Sequence, residues 1–289
     1  MTTYNLMLLP SGITDWDPDL RAELIAHETF LAEPDVLLLT ELFDNSATDE
    51  HLFPRIARHH PYRTPVVGRT SSGWDRSTGG YHGFPLEDGG VAIASKWPIL
   101  FRAQHIFVGG CGADYWAAKG FAYVVIDYRG QRVHLIGTHL QANDSACETG
   151  EARRERNSQL RAIRSFIDSR SIPANEPLVI GGDFNVRSGT SEYDSMLSTL
   201  QASPPLASQD VSYDPRTNSL AHYRSPNDSP GMLDHVFLSA AHPQPVLGWV
   251  NNVATRHSDP YIMRGSVFRD HSDHYPVTAS PLSLRLPPN

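Results

Sequence analysis

The feature that most constrains this chain is a series of short apolar runs separated by polar, Gly- or Pro-containing connectors. These are "YNLMLL", "DVLLLTEL", "GGVAIAS", "FAYVVIDY", "VHLIGTHL", "PLVIGGDF", "LDHVFL" and "YPVTASPLSL". Their length and β-branched content read as strands. Several are apolar at successive positions, so both faces of those strands need cover. Two stretches carry helical spacing instead. "ERNSQLRAIRSFIDSR" places Leu160, Ile163, Phe166 and Ile167 on one stripe. "DPDLRAELIAHETFLAE" opens with Asp17 as a cap and Pro18 in the first turn. Strands dominate, so the expected class is α/β (α+β), a sheet core with outer helices. A chain of 289 residues can close one large core, and a single catalytic domain over 1–289 is expected. The segment "RTSSGWDRSTGGYHGFPLEDGG" and the stretch 204–228 read as loops, a common home for sites.

Polar groups fall at the ends of these runs. "LLLTELFD" leads to Glu41, "HLIGTHLQ" to His139, and "LVIGGDFNV" to Asp183 and Asn185, while "GMLDHVFL" begins at Asp234. A rigid sheet holds such groups at its rim, where ligands reach them. In an extended chain Asp183 and Asn185 face the same way and Phe184 faces the core, with Gly181 and Gly182 leaving room for a ligand. A Gly-Gly-Asp turn is the plainer alternative. Glu41 follows an apolar run, and a carboxylate there needs compensation by a cation or a salt bridge. Asn5, inside "YNLMLLP", could add an amide oxygen to the set or make an internal hydrogen bond. All-oxygen donors suit magnesium better than zinc. His139 has Asp88 in "LEDGGVAI" as its candidate partner, and His274 has Asp234, which would fix its tautomer.

"RDHSDHYPV" at 269–277 crowds His271, Asp273 and His274 together. A zinc site would need a further imidazole or thiolate at recognisable spacing. An acid–base reading uses Asp273 toward a cation and His274 toward water, with His271 as a neighbour. No serine stands in a nucleophile-elbow context, so water is the expected nucleophile. The formal net charge of −8 disfavours broad contact with duplex nucleic acid. Cys111 and Cys147 lie in loop text, and spacing alone leaves a bridge and two free thiols nearly even. No run of about eighteen apolar residues is present to cross a bilayer. The opening "MTTYNLMLLPSG" lacks the basic and long apolar regions of a signal peptide.

Taken in order, "LLLTELFD", "EDGGVAIASKWPI", "AAKGFAYVVI", "HLIGTHLQANDS", "VIGGDFNV", "LDHVFLS" and "SDHYPV" resemble the endonuclease/exonuclease/phosphatase superfamily. The likeness is closest to its bacterial neutral sphingomyelinases and spans residues 1–280. The resemblance implies a four-layered, deoxyribonuclease I-like sandwich of two mixed β-sheets flanked by helices. It implies magnesium on Glu41, with Asn5 nearby and manganese or cobalt as possible substitutes. Asp183 then matches a catalytic aspartate and Asn185 a phosphate-binding asparagine. His274 matches the general base, with Asp234 orienting it and Asp273 on its metal side. His139 resembles a phosphate-side histidine supported by Asp88. The resemblance also implies a Cys111–Cys147 bridge, a secreted monomer and peripheral contact with a sphingomyelin-bearing membrane. Phospholipase C action on glycerophospholipids, nuclease or phosphatase action, and a toxin-like binding module without turnover are the competing readings. One departure concerns the hairpin before "SDHYPV", where family members carry adjacent large aromatics that enter the membrane. Here Tyr261, Ile262 and Met263 offer a modest apolar tip as the expected membrane contact, with an ordinary loop packed on its own domain as the alternative.

Overall fold

The computed structural model describes residues 1–12, 14–206 and 210–282. One sheet runs in the order Trp249–Val253, Val277–Pro281, Thr2–Leu8, Val36–Leu42, Ala92–Ser95, Tyr62–Arg63. The other runs Ala202–Ser203, Asp234–Ser239, Leu178–Asp183, Gln131–His139, Gly120–Tyr128, Ile99–Ile106, Arg76–Gly79. Both are mixed. Thr2–Leu8 pairs parallel to Val36–Leu42, and Gln131–His139 parallel to Leu178–Asp183, among antiparallel neighbours. The last two residues of "YPVTASPLSL" lie outside the described residues.

Period-two alternation builds the layers. Val36 and Leu38 point between the sheets, where they meet Ile93, Val124, Leu135, Val179 and Val236. Leu37 and Leu39 point outward and pack with Tyr4, Leu6, Ala22 and Ile25. On the far side Phe121, Tyr123 and Ile136 face Leu160, Ile163, Phe166 and Ile167 of the helix Glu151–Ser169. The stripe read from the sequence is therefore the sheet-facing side of the helix that covers the second sheet, and four layers result. Two faces per strand explain why the runs are apolar at successive positions.

Two elements differ from expectation. The stretch 17–33 is not one helix. Pro18–Ala26 forms it, with Asp17 accepting from the Leu20 N–H, but it tightens as His27 N–H reaches Leu24 and Glu28 N–H reaches Ile25. A separate 3₁₀ turn, Thr29–Ala32, follows. Within 204–228 a six-residue helix, Ser219–Arg224, stands on Asn218, whose Oδ1 accepts from Leu220 and Ala221. Six residues are too few to announce themselves by period.

The glycines of "VIGGDFN" also act otherwise than expected. A Cβ on Gly181 would lie 2.6 Å from Leu38 Cδ1, and one on Gly182 1.8 Å from the Thr138 carbonyl oxygen. They let this strand approach its neighbour and the facing sheet, and leave no space for a ligand.

His235, wholly buried in Asp234–Ser239, sets a pH limit on this core. Its Nε2 meets the Val186 carbonyl at 3.0 Å, and burial holds the imidazole down to about 4 against an ordinary 6.5. Between those values the unfolded chain takes up a proton that the native chain refuses. The stability it contributes is present above 6.5 and is lost as pH falls toward 4, about 3 kcal/mol in all. Denaturant unfolding from pH 7 to 4 should therefore be less pH-dependent for His235→Phe than for the parent, while parallel profiles would contradict this.

Candidate active site

Register alone brings three of the expected residues into one row. His139 pairs with Asp183 across the parallel ladder, and Asp183 pairs with Asp234 across the antiparallel one. In the other sheet Asn5 lies beside Thr40, next to Glu41. Backbone strain accompanies these ends. Met7, Glu41 and Asn185 all take positive φ, at 52°, 56° and 53°. Such non-glycine conformations cost about 1–3 kcal/mol each and persist where surroundings enforce them.

The side chains then converge. Asn5 Nδ2 donates to Glu41 Oε1 at 2.9 Å and to Asp183 Oδ2 at 3.0 Å. His274 Nδ1 lies 2.7 Å from Asp234 Oδ2, and its Nε2 lies 3.9 Å from Asp183 Oδ2. His139 Nε2 is 3.7 Å from that same oxygen and 4.0 Å from Glu41 Oε1. Asp183 Oδ1 accepts from the Asn185 N–H at 2.9 Å, so the chain leaves the strand in a turn there. Phe184 is buried as expected, but the shared direction of Asp183 and Asn185 comes from this turn and not from strand alternation. Ligand atoms of Glu41, His139 and Asp183 lie within 4.8 Å of one another, and so do those of Asp183, Asp234 and His274.

Electrostatics follow from burial and crowding. Burial, then the adjacent Asp234 carboxylate, pushes Asp183 up to about 7. Burial, then Asp273, raises Glu41. Burial alone would lower His274, but the Asp234 and Asp183 carboxylates outweigh it and raise the imidazole well above its ordinary value. His139 is held well below its ordinary value by burial, then by the Lys119 ammonium and by His274.

Several assignments change. Asp88 does not support His139. Its Oδ2 binds Arg69 Nε at 2.7 Å and its Oδ1 the Gly90 N–H at 2.8 Å, while His139 Nδ1 has no partner among the described residues. Arg69 also donates to the Leu42 carbonyl, so Asp88 steadies the backbone just beyond Glu41. Asp273 is not free on a metal side, because it forms a salt bridge with Arg224. His271, buried, binds Glu28 at 3.1 Å. Asn5 is oriented by the Met7 N–H on its Oδ1, so its NH₂ group faces the two carboxylates. It bridges them and offers them no oxygen.

The apolar hairpin is short. Tyr261–Met263 pairs with Ser266–Phe268. Alternation turns Met263 into a small cluster with Met7, Leu220 and Phe268, and ties the Tyr261 hydroxyl to the Asp270 carbonyl. Of the three, Ile262 points out, opposite the likewise exposed Val267. The Cys111–Cys147 disulfide is formed.

Three cations escaped the sequence reading. Lys119, buried, donates to Asp114 at 2.7 Å, to the Leu140 carbonyl at 3.1 Å and to His139 Nε2 at 3.2 Å. Asn185 Nδ2 reaches the same Nε2 at 3.2 Å. With two donors on Nε2, the network assigns the His139 proton to Nδ1. Arg21, fully buried, donates to the carbonyls of Leu6, Met7, Trp16 and His271. It thereby ties the end of the first strand to the segment carrying His274. Arg224 comes from the unanticipated helix. The only sequence signal for Lys119 is a charge in "AAKGFAYVVI", where apolar residues follow on both faces.

A cleft of about 710 Å³ opens onto this set. Glu41, His139, Lys119 and Arg224 line it with Leu9, Phe43, Leu86 and Trp116. His274 lines a second cavity, of about 360 Å³, and joins the cleft residues through Asp183 Oδ2, which lies 3.9 Å from His274 Nε2 and 3.7 Å from His139 Nε2. The arrangement supplies an oriented imidazole, a group of carboxylates short of positive charge, and an apolar wall. The buried Glu41 Oε2 has no hydrogen-bond partner among the described residues, and Glu41 and Asp183 fall in one group of close ligand atoms. Oxygen donors left unpaired in this way fit a hard divalent cation.

Residues 2–274 match the Endonuclease/Exonuclease/phosphatase family. The chain is 40% identical over 285 residues to a phospholipase C of Staphylococcus aureus, covering 96% of this chain and 86% of that one. It is similar to the crystal structure of sphingomyelinase C from Streptomyces griseocarneus, with a TM-score of 0.92 and 43% identity, over 97% of this chain and 98% of that chain. A double mutant of Staphylococcus aureus beta toxin with bound magnesium ions gives a TM-score of 0.93 and 40% identity, over 97% and 98% of the two chains.

Proposed function

Because the chain belongs to the endonuclease/exonuclease/phosphatase family, we propose that it is a magnesium-dependent phosphodiesterase that hydrolyses sphingomyelin to ceramide and phosphocholine. The observation that carries this reading is the His274–Asp234 pair, 2.7 Å apart, set against Asp183 and Glu41 beneath a cleft with an apolar wall. A nuclease cleft needs a basic lining for a polyanion. Here Leu9, Phe43, Leu86 and Trp116 occupy that wall, which suits a lipid. The similarity to sphingomyelinase C and to a magnesium-bound beta toxin supports the same substrate and ion.

Glu41 and Asp183 would hold the cation, with Asn5 bridging them. When bound, it polarises a phosphoryl oxygen and stabilises the leaving alkoxide. The protein's own groups do the rest. Asp234 accepts the Nδ1 proton of His274. Positive charge held at Glu41 and Asp183 would offset the carboxylate field that otherwise keeps the imidazole protonated, and so free Nε2 to accept a proton from water. The water oxygen attacks phosphorus, and the bond to the ceramide oxygen breaks. Asn185 and Lys119, the donors now directed at His139 Nε2, are placed to meet charge on phosphoryl oxygens. His139 acts here as the acceptor that holds those two donors, and does not itself donate toward phosphate. The disulfide fits an oxidising, extracellular location, and a single catalytic domain acting as a monomer at a membrane surface completes the reading.

Product analysis tests the proposal. Sphingomyelin, phosphatidylcholine and DNA are each offered with magnesium and with a chelator. Phosphocholine and ceramide should appear from sphingomyelin with magnesium, falling by at least about 10²-fold on chelation. Diacylglycerol as the main product would favour the glycerophospholipid reading, and nucleotide release the nuclease reading.

A further inference from the structure

Of its large apolar side chains the hairpin exposes Ile262 and Val267, at 73% and 63%, and the larger apolar surface lies elsewhere. Phe84 is 93% exposed, Leu86 67%, Trp116 51% and Tyr115 45%. These four come from two loops that are fastened together. The N–H groups of Leu86 and Glu87 donate to the Trp116 carbonyl at 2.8 and 3.0 Å. The Tyr81 hydroxyl donates to the Tyr115 carbonyl. The Tyr115 ring meets Tyr81 at 6.2 Å and Trp116 at 5.1 Å, edge-on in both cases. The second loop is further pinned by the Cys111–Cys147 bridge and by Asp144, which accepts from the Ala113 N–H at 2.8 Å. The result is a fixed apolar platform.

Its position and charge say what covers it. Leu86 and Trp116 also line the cleft that holds Glu41 and His139, so the platform continues into the reaction site without a break. Residues 80–86 contain no Lys, Arg, Asp or Glu. Asp114, the charged residue within 108–117, turns inward to Lys119 and to the Ala142 N–H. An uncharged surface of Trp, Tyr, Phe and Leu suits the boundary between headgroups and acyl chains. It lacks the basic cluster that draws a protein to anionic lipid.

We propose that this platform, centred on Phe84, Leu86, Tyr115 and Trp116, is the face that enters the headgroup layer of a zwitterionic phosphocholine bilayer and seats the cleft on its lipid. The inference rests on the lipid-phosphodiester reading above, since a lipid headgroup drawn into the cleft passes this rim. Phe84 and Tyr115 are outside the cleft lining, so they can be changed without touching the chemistry.

The experiment measures sedimentation with vesicles of sphingomyelin and phosphatidylcholine in chelator, where turnover is off. It also measures turnover on vesicles and on a water-soluble phosphocholine ester. Phe84→Ser/Tyr115→Ser should weaken vesicle binding about tenfold or more. Its vesicle turnover should fall in parallel, its soluble-ester turnover should stay within about twofold, and its melting temperature should be unchanged. Ile262→Ser/Val267→Ser should bind vesicles nearly as the parent does. The proposal is overturned if the platform variant binds as well as the parent, or if only the hairpin variant loses binding. It is equally overturned if the parent does not bind, or if the platform change abolishes a dimer of this chain and leaves vesicle binding intact. A parent that binds through the platform but cleaves neither sphingomyelin nor the ester would sink the functional reading and leave this one standing.

Discussion

Replacing His274 by alanine is expected to lower kcat/KM for sphingomyelin by about 10³-fold, with vesicle binding changed by no more than about threefold. The imidazole is buried, its Nδ1 is bound by Asp234, and its Nε2 faces Asp183. An oriented base of this kind typically contributes about 10²–10⁴-fold. Asp234→Asn separates positioning from bulk. The amide can donate to Nδ1, which moves the proton to Nε2 and leaves no base facing water. Its loss of rate should therefore approach that of His274→Ala with little loss of packing. Single-turnover rates, vesicle binding and thermal melts on both variants decide the matter. Near-normal turnover by either variant would remove His274 from the chemistry. A loss of rate matched by a collapsed melting transition would assign the effect to folding.

Replacing Glu41 by glutamine should have the second largest effect, roughly a 10³-fold loss of turnover that added magnesium does not restore. Stability should move the other way. Glu41 is a carboxylate raised by burial and by Asp273, with one oxygen unpartnered. Without a cation its charge opposes its surroundings, and the neutral amide keeps the shape. In chelator, Glu41→Gln should melt at or above the parent temperature. Magnesium should raise the parent's melting temperature by mass action on the native state and leave the variant's unmoved. An equal magnesium shift in both proteins would place the ion elsewhere. A destabilised variant in chelator would show that the carboxylate is structural.

How far the sequence reached depended on whether a signal was local. Val36–Leu42 was legible because alternate residues enter two different cores, which demands an apolar residue at nearly every position. His139, Asp183 and Asp234 were legible as polar ends of such runs, and ladder register then places them side by side. Of the pairings between distant segments, His274 with Asp234 was legible and others were not. Asp88 goes to Arg69, not to His139, and Asp273 goes to Arg224 on a helix too short to show a period. Lys119 and Arg21 carry no local signal of a role, yet both are buried and spend their donors on carbonyls at the site. Tyr261, Ile262 and Met263 read as one apolar tip. Pleating sends the middle residue out while Met263 turns into the core.

His274 is proposed to deliver water to phosphorus in a cation-dependent cleft. Mass spectrometry of the products formed in ¹⁸O-labelled water with magnesium tests it most directly. One labelled oxygen is expected in phosphocholine and none in the ceramide hydroxyl, with no products in chelator. Label in the ceramide hydroxyl, or equal product formation without a divalent cation, would contradict it.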